Sequence, residues 1–231
     1  HLDCRRQRQM CIRDSSLREN KVMSLKTRFG NLGNILDFNN LTEENIYVLN
    51  SPILSNSQFQ KFITYFGNNY KIFDCTFQNG ETLEDALNKL KKETEIAVRQ
   101  GITQIVISDK DISNDKYPIP TLLSVGAIHT NLVKLGLRGY VSINVQSGEC
   151  LDTHSFSTVI GVGATTVNPY LAFDSLYERF KKKLFKNLSF EDCIVRYIKS
   201  VNLGLLKIMS KMGISVLSSY RGGCNFETVG L

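Results

Sequence analysis

Helix-like and strand-like segments alternate from about residue 45, and this alternation constrains the fold more than any other feature of the sequence. The short apolar run Gln104–Ser108 is typical of a parallel strand that is buried on both faces. Similar strand-like segments at residues 70–77, 140–145 and 165–168 recur roughly every 30 residues, which indicates βαβ crossovers. We therefore predict an α/β fold of repeated βα units. Its mainly parallel sheet should have about four strands and be open or an incomplete barrel.

The helices between these strands are marked by capping residues. A Ser or Thr with a Gln or Asp three positions later can cap a helix N-terminus reciprocally. Such pairs are Ser55 with Gln58, Thr82 with Asp85 and Ser189 with Asp192. Pro169 suits the first position of a further helix. We predict helices at about residues 55–66, 82–100, 121–137, 153–162, 169–180 and 189–212, the last being a long C-terminal helix.

The formal net charge of +6 comes largely from one stretch. Residues 178–211 hold nine Lys and Arg against three acidic residues. A run of this kind most often forms the solvated face of a helix, and an anion-binding surface is the main alternative. Few aromatic residues interrupt it, so it lacks the stacking groups of a nucleic-acid site. We therefore predict no nucleic-acid partner.

Residues 1–20 differ from the rest of the sequence. They contain five arginines and show neither helical nor strand periodicity. They also lack the apolar core of a signal peptide. We interpret residues 1–20 as a non-native or disordered leader, with an arginine-rich RNA-binding arm as the alternative.

The six cysteines are widely and irregularly spaced, with no CxxC pair and no zinc-type Cys/His cluster. Cys75 and Cys193 lie in apolar patterns that are typical of small buried residues. No apolar run approaches the roughly 20 residues of a membrane span. We therefore expect no metal site, no membrane association and a reducing, cytoplasmic location.

Polar side chains in two places are candidates for chemistry. Asp109 and Asp111 follow the buried strand at its carboxyl end, where parallel sheets tend to bind ligands. Without a positioned histidine or third carboxylate, we favour a solvated loop over a metal site or general base there. His154 is a better candidate base than His129, because Asp152 two residues away could set its tautomer. The sequence predicts no catalytic residue with any stronger signal.

The segment after residue 204 combines several unusual features. Lys207 and Lys211 share a face at the end of the long helix, and Gly213 can adopt a positive φ. Arg221, followed by two glycines, could bind a carboxylate or phosphate. It could equally hold a domain junction through carbonyl groups, which we favour. Lys207, Lys211 and Arg221 are therefore anion-site or junction candidates.

Several collinear stretches from about residue 50 onward resemble the large subunit of glutamate synthase. The most specific lie at the end: Gly204-Leu-Leu-Lys-Ile-Met-Ser-Lys-Met-Gly-Ile-Ser215, then Ser219-Tyr-Arg-Gly-Gly223 and Phe226-Glu-Thr-Val-Gly230. Moderate matches precede them at 50–54, 107–109, 118–126, 136–142, 161–164 and 167–172. The chain departs from the family pattern at Gly223-Cys224-Asn225 and around His129 and His154.

The resemblance implies a multidomain flavoenzyme that converts glutamine and 2-oxoglutarate into two glutamates with reducing equivalents. It places residues 45–180 in a central α/β domain, and residues 189–231 in a junction helix and the truncated start of the flavin domain. The implied FMN and iron–sulfur cluster would lie in the full-length enzyme, and we expect no cofactor in this fragment. The implied partners are the amidotransferase and FMN domains of the same polypeptide, and a small reductase subunit or ferredoxin. The alternative is a stand-alone phosphate- or flavin-binding α/β domain.

Overall fold

The computed structural model describes residues 21–29, 46–185 and 187–227. The predicted leader at residues 1–20 lies outside the described residues. The strands, in chain order, are β1 (Thr27–Phe29), β2 (Tyr47–Leu49), β3 (Tyr70–Asp74), β4 (Thr76–Gln78), β5 (Gln104–Ser108), β6 (Lys116–Pro118), β7 (Ser142–Gln146) and β8 (Thr166–Asn168). The α-helices are α1 (Asn56–Phe66), α2 (Leu83–Arg99), α3 (Thr121–Lys134), α4 (Thr153–Val162), α5 (Tyr170–Lys181), α6 (Phe190–Met212) and α7 (Leu217–Tyr220).

The central sheet has four parallel strands in the order β3-β5-β7-β8. The segment before α1 extends it beyond β8, because the Leu54 backbone N–H donates to the carbonyl of Val167 (2.9 Å) and the Val167 N–H donates to Pro52 (2.8 Å). Within the described residues the sheet does not close into a barrel. The predicted α/β fold with about four mainly parallel strands is therefore confirmed.

Apolar side chains cover both faces of this sheet. Ile105 and Ile107 of β5 point into a large core with residues of α2, α3, α4 and α6. Val106, between them, points to the opposite face and packs with Phe29 and Phe62 in a second cluster. All five residues of β5 are buried, as expected of a strand between two apolar layers.

The predicted helix starts agree with the observed caps. Ser55 with Gln58 and Ser189 with Asp192 form reciprocal capping boxes, and the Thr82 hydroxyl accepts the Asp85 N–H. These bonds satisfy backbone donors that the first helical turn leaves unpaired. At the other end of α6, Gly213 takes the left-handed conformation (φ 71°), as predicted.

Two predicted boundaries are wrong. The segment 70–77 is not one strand, because the chain leaves the parallel sheet at Cys75. Residues 76–78 instead pair antiparallel with β6, a strand that the sequence did not reveal. The helix expected to reach residue 137 ends at Lys134, since Gly136 adopts a positive φ of 70° in the turn that follows.

Residues 21–29 contact the rest of the domain through a strand pairing and through backbone hydrogen bonds of Ser24. The strands β1 and β2 pair antiparallel. The Ser24 N–H donates to the carbonyl of Ser215 (2.8 Å), and the Leu217 N–H donates to that of Ser24 (3.1 Å), which ties residues 21–29 to the end of α6. No helix in the described ranges is both long and apolar enough to cross a membrane.

Candidate functional site

The carboxyl edge of the sheet is organised around a buried carboxylate. Asp109, directly after β5, is only 3% exposed. Its Oδ2 accepts hydrogen bonds from the Ser147 hydroxyl (2.9 Å) and the Gly148 N–H (2.9 Å). Both partners belong to the loop after β7, so Asp109 joins the loops of two neighbouring strands.

The same network continues to the start of α3. The hydroxyls of Thr121 and Ser147 lie 2.6 Å apart, and the Thr121 N–H donates to Glu149 Oε2 (2.8 Å). The Glu149 N–H donates in turn to Ser147 Oγ (3.0 Å). Among the described residues, no buried side-chain polar atom lacks a partner. The carboxyl edge is therefore a closed hydrogen-bond network that fixes loops and a helix start.

The predicted solvated loop is correct for one aspartate of the pair and wrong for the other. Asp111 is exposed, whereas Asp109 is buried because its carboxylate accepts the donors of Ser147 and Gly148. The two carboxylates therefore do not form one site. Burial and the Asp109 charge also raise the pKa of the nearby Tyr170 hydroxyl.

Two buried thiols border this edge. Burial, reinforced by the negative charges of Asp109 and its neighbours, raises the pKa of Cys75 and of Cys150 to about 12. Both are therefore protonated, and weak nucleophiles, at neutral pH. The predicted burial of Cys75 and Cys193 is confirmed. Across the described part of the chain, no three His, Cys, Asp or Glu residues are grouped as metal ligands.

The amino edge of the sheet is organised around an arginine. The guanidinium of Arg138 donates through Nε to His129 Nδ1 (3.1 Å) and through one terminal nitrogen to the carbonyl of Gly163 (2.9 Å). Its other terminal nitrogen donates to the carbonyl of Val141. Arg138 therefore joins α3, the start of β7 and the end of α4.

His129 is held as a neutral acceptor in this arrangement. Burial, and the positive charges of Arg138 and Arg221, lower its pKa. Two glycines leave room for the ring. A Cβ at Gly163 (φ 146°) would lie 2.5 Å from His129 Nδ1, and one at Gly222 (φ 66°) would lie 2.7 Å from Cε1. A side chain at either position would displace the imidazole.

The hypothesis that His154 is the better candidate base is not supported by its surroundings. Asp152 caps α4, and its carboxylate accepts the Ser155 N–H (2.8 Å) and the Ser155 hydroxyl. These bonds are the main cause of the lowered pKa of Asp152, and no hydrogen bond from His154 to Asp152 is found among the described residues. His154 itself is exposed on the first turn of α4. The histidine whose ring accepts a side-chain hydrogen bond is instead His129.

The C-terminal candidates lie in two places. Lys207 and Lys211 are exposed near the end of α6, whereas Arg221 lies beside His129 and Arg138 after α7. The backbone amides that follow Arg221 are not open to a ligand, since the Gly222 N–H donates to Gly161 (2.8 Å) and the Gly223 N–H to Tyr220 (3.3 Å). Of the donors predicted within residues 221–223, only the guanidinium of Arg221 is therefore available to an anion.

Arg221 and Arg138 both line a cavity of about 510 Å³ at the amino edge of the sheet. The sequence brought Arg138 to notice only as part of the stretch 136–142 and did not predict its contact with His129 or Arg221. These side chains come from separate elements, so no local pattern could have grouped them.

The chain is similar in sequence to a known protein family and to several curated proteins. A family model described as "Glutamate synthase central domain" matches residues 14–231. The chain is 48% identical over 219 residues to the "Glutamate synthase [NADPH] large chain" of Azospirillum brasilense, covering 94% of this chain and 14% of the relative. The corresponding protein of Bacillus subtilis is 38% identical over 221 residues (94% and 14%). The chloroplastic "Ferredoxin-dependent glutamate synthase" of Spinacia oleracea is 37% identical over 230 residues (93% and 14%).

Among solved structures, a mutant flavocytochrome b2 with benzoylformate aligns at 12% identity and a TM-score of 0.46, covering 76% of this chain and 41% of the other. The fold class follows from the parallel strand order and not from this likeness. The chain spans about 14% of the length of the curated relatives described above. On the family match and these identities, the chain belongs to the glutamate synthase central domain family.

Proposed function

We propose that this chain is the non-catalytic central part of a glutamate synthase, lying between an amidotransferase domain and an FMN domain. The complete enzyme would convert glutamine and 2-oxoglutarate into two glutamates with reducing equivalents. The observation that carries the proposal is 48% identity along 94% of the chain to a large chain of which it covers only 14%. A segment of that extent is one part of a longer polypeptide in the relative.

The geometry of the candidate groups supports a linking role. Asp109 is engaged by donors from the loop after β7, so it cannot accept a substrate proton without losing those bonds. The thiols of Cys75 and Cys150 are protonated at neutral pH. These groups hold loops together, and a linker between two catalytic domains needs that rigidity.

The two cofactors implied by the family do not fit the described residues. The carboxyl edge, where an α/β sheet would take a flavin phosphate, carries the acidic side chains of Asp109 and Glu149, and its Lys116 is paired with Asp74. The described cysteines form no group of metal ligands, and Cys75, Cys150 and Cys193 are each buried. We therefore place FMN and the iron–sulfur cluster in other parts of the full-length enzyme.

We further propose that residues 45–180 form the central-type domain and that residues 189–231 lead toward the flavin domain. In that arrangement Lys207 and Lys211 would lie at the junction. The partners would be the amidotransferase and FMN domains, with either a small reductase subunit or ferredoxin as electron donor. Relatives of both the NADPH and the ferredoxin type match over nearly the same extent of the chain, at 48% and 37% identity, so the extent of the match favours neither donor. We propose a cytoplasmic location, with no nucleic-acid or membrane partner.

The test compares the 231-residue chain with the full-length product of its natural gene. The full-length protein should form two glutamates per glutamine consumed and contain flavin and an iron–sulfur cluster. The chain alone should show neither the flavin absorbance nor the activity. Stoichiometric flavin in the purified chain would contradict the proposal and favour the stand-alone flavin-binding alternative.

A second arm tests the non-catalytic role directly in the full-length enzyme. The change Asp109→Ala should reduce the yield of folded protein while leaving the turnover per bound flavin within about twofold. Asp111→Ala, an exposed neighbour, is the matched control. A general base at Asp109 would instead lower turnover per flavin by about 100-fold or more, with KM little changed.

A further inference from the structure

The cavity at the amino edge of the sheet has an unusual charge balance. Within the described residues, its lining includes Arg28, Arg138 and Arg221 and contains no acidic residue. Arg28 is exposed on β1, whereas Arg138 and Arg221 are half-buried. Three arginines thus line one space of about 510 Å³.

Nothing in the described part of the chain neutralises the two inner arginines. The ion pairs found there join Arg99 with Glu95, Lys116 with Asp74, and Lys181 with Glu178. Burial, with a smaller contribution from the charge of Arg221, lowers the pKa of Arg138 to about 10. Placing two like charges together and away from water is costly, and an anion between them would remove that cost.

The inner arginines differ in what their donors already do. Arg138 is fixed by His129 and two carbonyl groups, so its remaining N–H groups have a set direction. The carbonyl of Val141 and that of Gly163 use only two of its four terminal N–H donors. The Arg221 backbone N–H donates to Leu217 (3.0 Å), whereas its guanidinium makes no hydrogen bond with a described partner. The pair therefore offers spare, pre-positioned donors of the kind that bind carboxylate and phosphate.

The rest of the lining is that of a small-molecule site. Thr103, Ser142 and Thr165 also line it, and the Thr165 hydroxyl oxygen accepts the Ile143 N–H. The half-buried Phe66 gives the lining an apolar side and packs against the buried Phe29. A cavity of several hundred Å³ with an apolar wall and a few convergent polar groups is typical of ligand pockets.

We propose that this cavity binds a small anionic molecule, with its carboxylate or phosphate group held by Arg138 and Arg221 and an apolar or planar portion against Phe66. The geometry favours a molecule over a bare ion, because the volume exceeds that of inorganic phosphate several-fold. The site does not depend on the proposed place of the chain in glutamate synthase. It would make the central domain a ligand-binding element and not only a linker.

The experiment titrates the purified 231-residue chain with four probes at constant ionic strength. Phenyl phosphate and benzoate carry the two anionic groups on a planar apolar body, inorganic phosphate carries charge alone, and benzyl alcohol carries the ring alone. The arginine Nε resonances in ¹⁵N NMR spectra report the contact, and calorimetry gives Kd. We expect phenyl phosphate or benzoate to bind at least about fivefold tighter than inorganic phosphate, and benzyl alcohol not to bind. The tighter of the two anions identifies the group that the site prefers.

The variants distinguish binding at this cavity from a general effect of net charge. Arg221→Gln should weaken binding of the tighter probe at least about tenfold, because it removes a charge-assisted donor and no described hydrogen bond. Arg221→Lys should recover part of the affinity. Arg196→Gln, an equal charge change on the exposed face of α6, should leave Kd unchanged. Thermal melts establish that each variant is folded.

Two results would overturn the proposal. One is that neither anion gives a saturable shift of the arginine Nε resonances at concentrations up to about 10 mM. A Kd weaker than that would not represent specific recognition. The other is an equal loss of affinity in Arg221→Gln and Arg196→Gln, which would reduce the effect to net charge. An acidic segment of the remaining polypeptide as the natural occupant would give the first of these results.

Discussion

The two edges of the central sheet both carry charged groups, but only one edge satisfies them internally. At the carboxyl edge, Asp109 is surrounded by donors from Ser147 and Gly148. At the amino edge, Arg138 donates to His129 and to two carbonyl groups but has no described carboxylate partner, and Arg221 adds a second positive charge. The carboxyl edge is where α/β proteins usually bind ligands, yet here it is closed.

This difference indicates where stability and binding lie in the molecule. A polar network whose members all have partners rigidifies the loops that it joins. A buried charge without a partner costs free energy, and proteins keep such groups mainly where a ligand or partner completes them. Removing the charge of Asp109 should therefore destabilise the chain, whereas removing that of Arg221 should stabilise it slightly, and the following predictions test that contrast.

The largest effect is expected at the carboxyl edge. Asp109→Ala removes the acceptor of the Ser147 hydroxyl and the Gly148 N–H and leaves the N–H of Gly148 unpaired. We expect the free energy of unfolding to fall by about 3 kcal/mol. Urea denaturation followed by circular dichroism measures it. The exposed Asp111→Ala should change stability by less than about 0.5 kcal/mol, and equal losses at both positions would contradict the closed network.

The next effect is expected at Arg138, the bonded member of the arginine pair. Arg138→Ala removes its bonds to His129 and to the carbonyls of Val141 and Gly163. We expect the free energy of unfolding, measured by urea denaturation, to fall by about 2 kcal/mol. The fall is smaller than for Asp109→Ala because Arg138 is partly exposed to solvent, which can replace some of the lost bonds. Arg138→Lys should recover less than half, because an ammonium cannot span three separated acceptors. Full recovery with lysine would mean that charge, and not the planar fork, is what matters.

The sequence predicted the parallel sheet and the helix caps because those signals are local. The buried run Gln104–Ser108 and the pairs Ser55–Gln58 and Ser189–Asp192 each depend on residues a few positions apart. The pairing of β4 with β6 was missed, because three-residue strands carry little periodicity and one of them includes Pro118. Cys75 ends β3 because its backbone carbonyl accepts from Ile119, a contact that only the fold reveals.

The candidate sites were predicted less well, for the same reason. Asp109 and Asp111 look alike in sequence, and only the loop after β7 distinguishes the buried one. The Asp152–His154 spacing suggested a pair, but a helix cap competed for the carboxylate. Arg138 and Arg221 lie far apart in the sequence, and only the fold brings their charges close enough to interact. No local sequence pattern could have predicted this.

A smaller effect, visible as a pH dependence, is expected from His129. Its pKa in the folded chain is lowered, so the unfolded chain binds more protons below the ordinary histidine pKa of about 6.5. The stabilising contribution is therefore complete above that pH and is lost as the pH falls below it, by at most about 1.4 kcal/mol per pH unit. His129→Gln keeps an acceptor for Arg138 and should flatten the slope of unfolding free energy between pH 5 and 7.

The measurement on His129→Gln can also contradict the assignment. If the slope of unfolding free energy between pH 5 and 7 is the same in His129→Gln as in the unchanged chain, the assignment of the buried neutral histidine is wrong. Carboxylates with lowered pKa values, such as Asp152, act only at lower pH.

The smallest expected effect has the opposite sign and bears most directly on the contrast between the edges. Arg221→Gln removes a like charge beside Arg138 and breaks no hydrogen bond with a described residue. In a buffer of low ionic strength without phosphate or carboxylate anions, the variant should be more stable than the unchanged chain by roughly 0.5 kcal/mol. Added sodium chloride should shrink the gain, because it screens the repulsion. An anion that binds at Arg221 should reverse it, because only the unchanged chain is then stabilised by binding. A loss of stability in the anion-free buffer would mean that Arg221 is satisfied within the domain, which would remove the difference between the two edges.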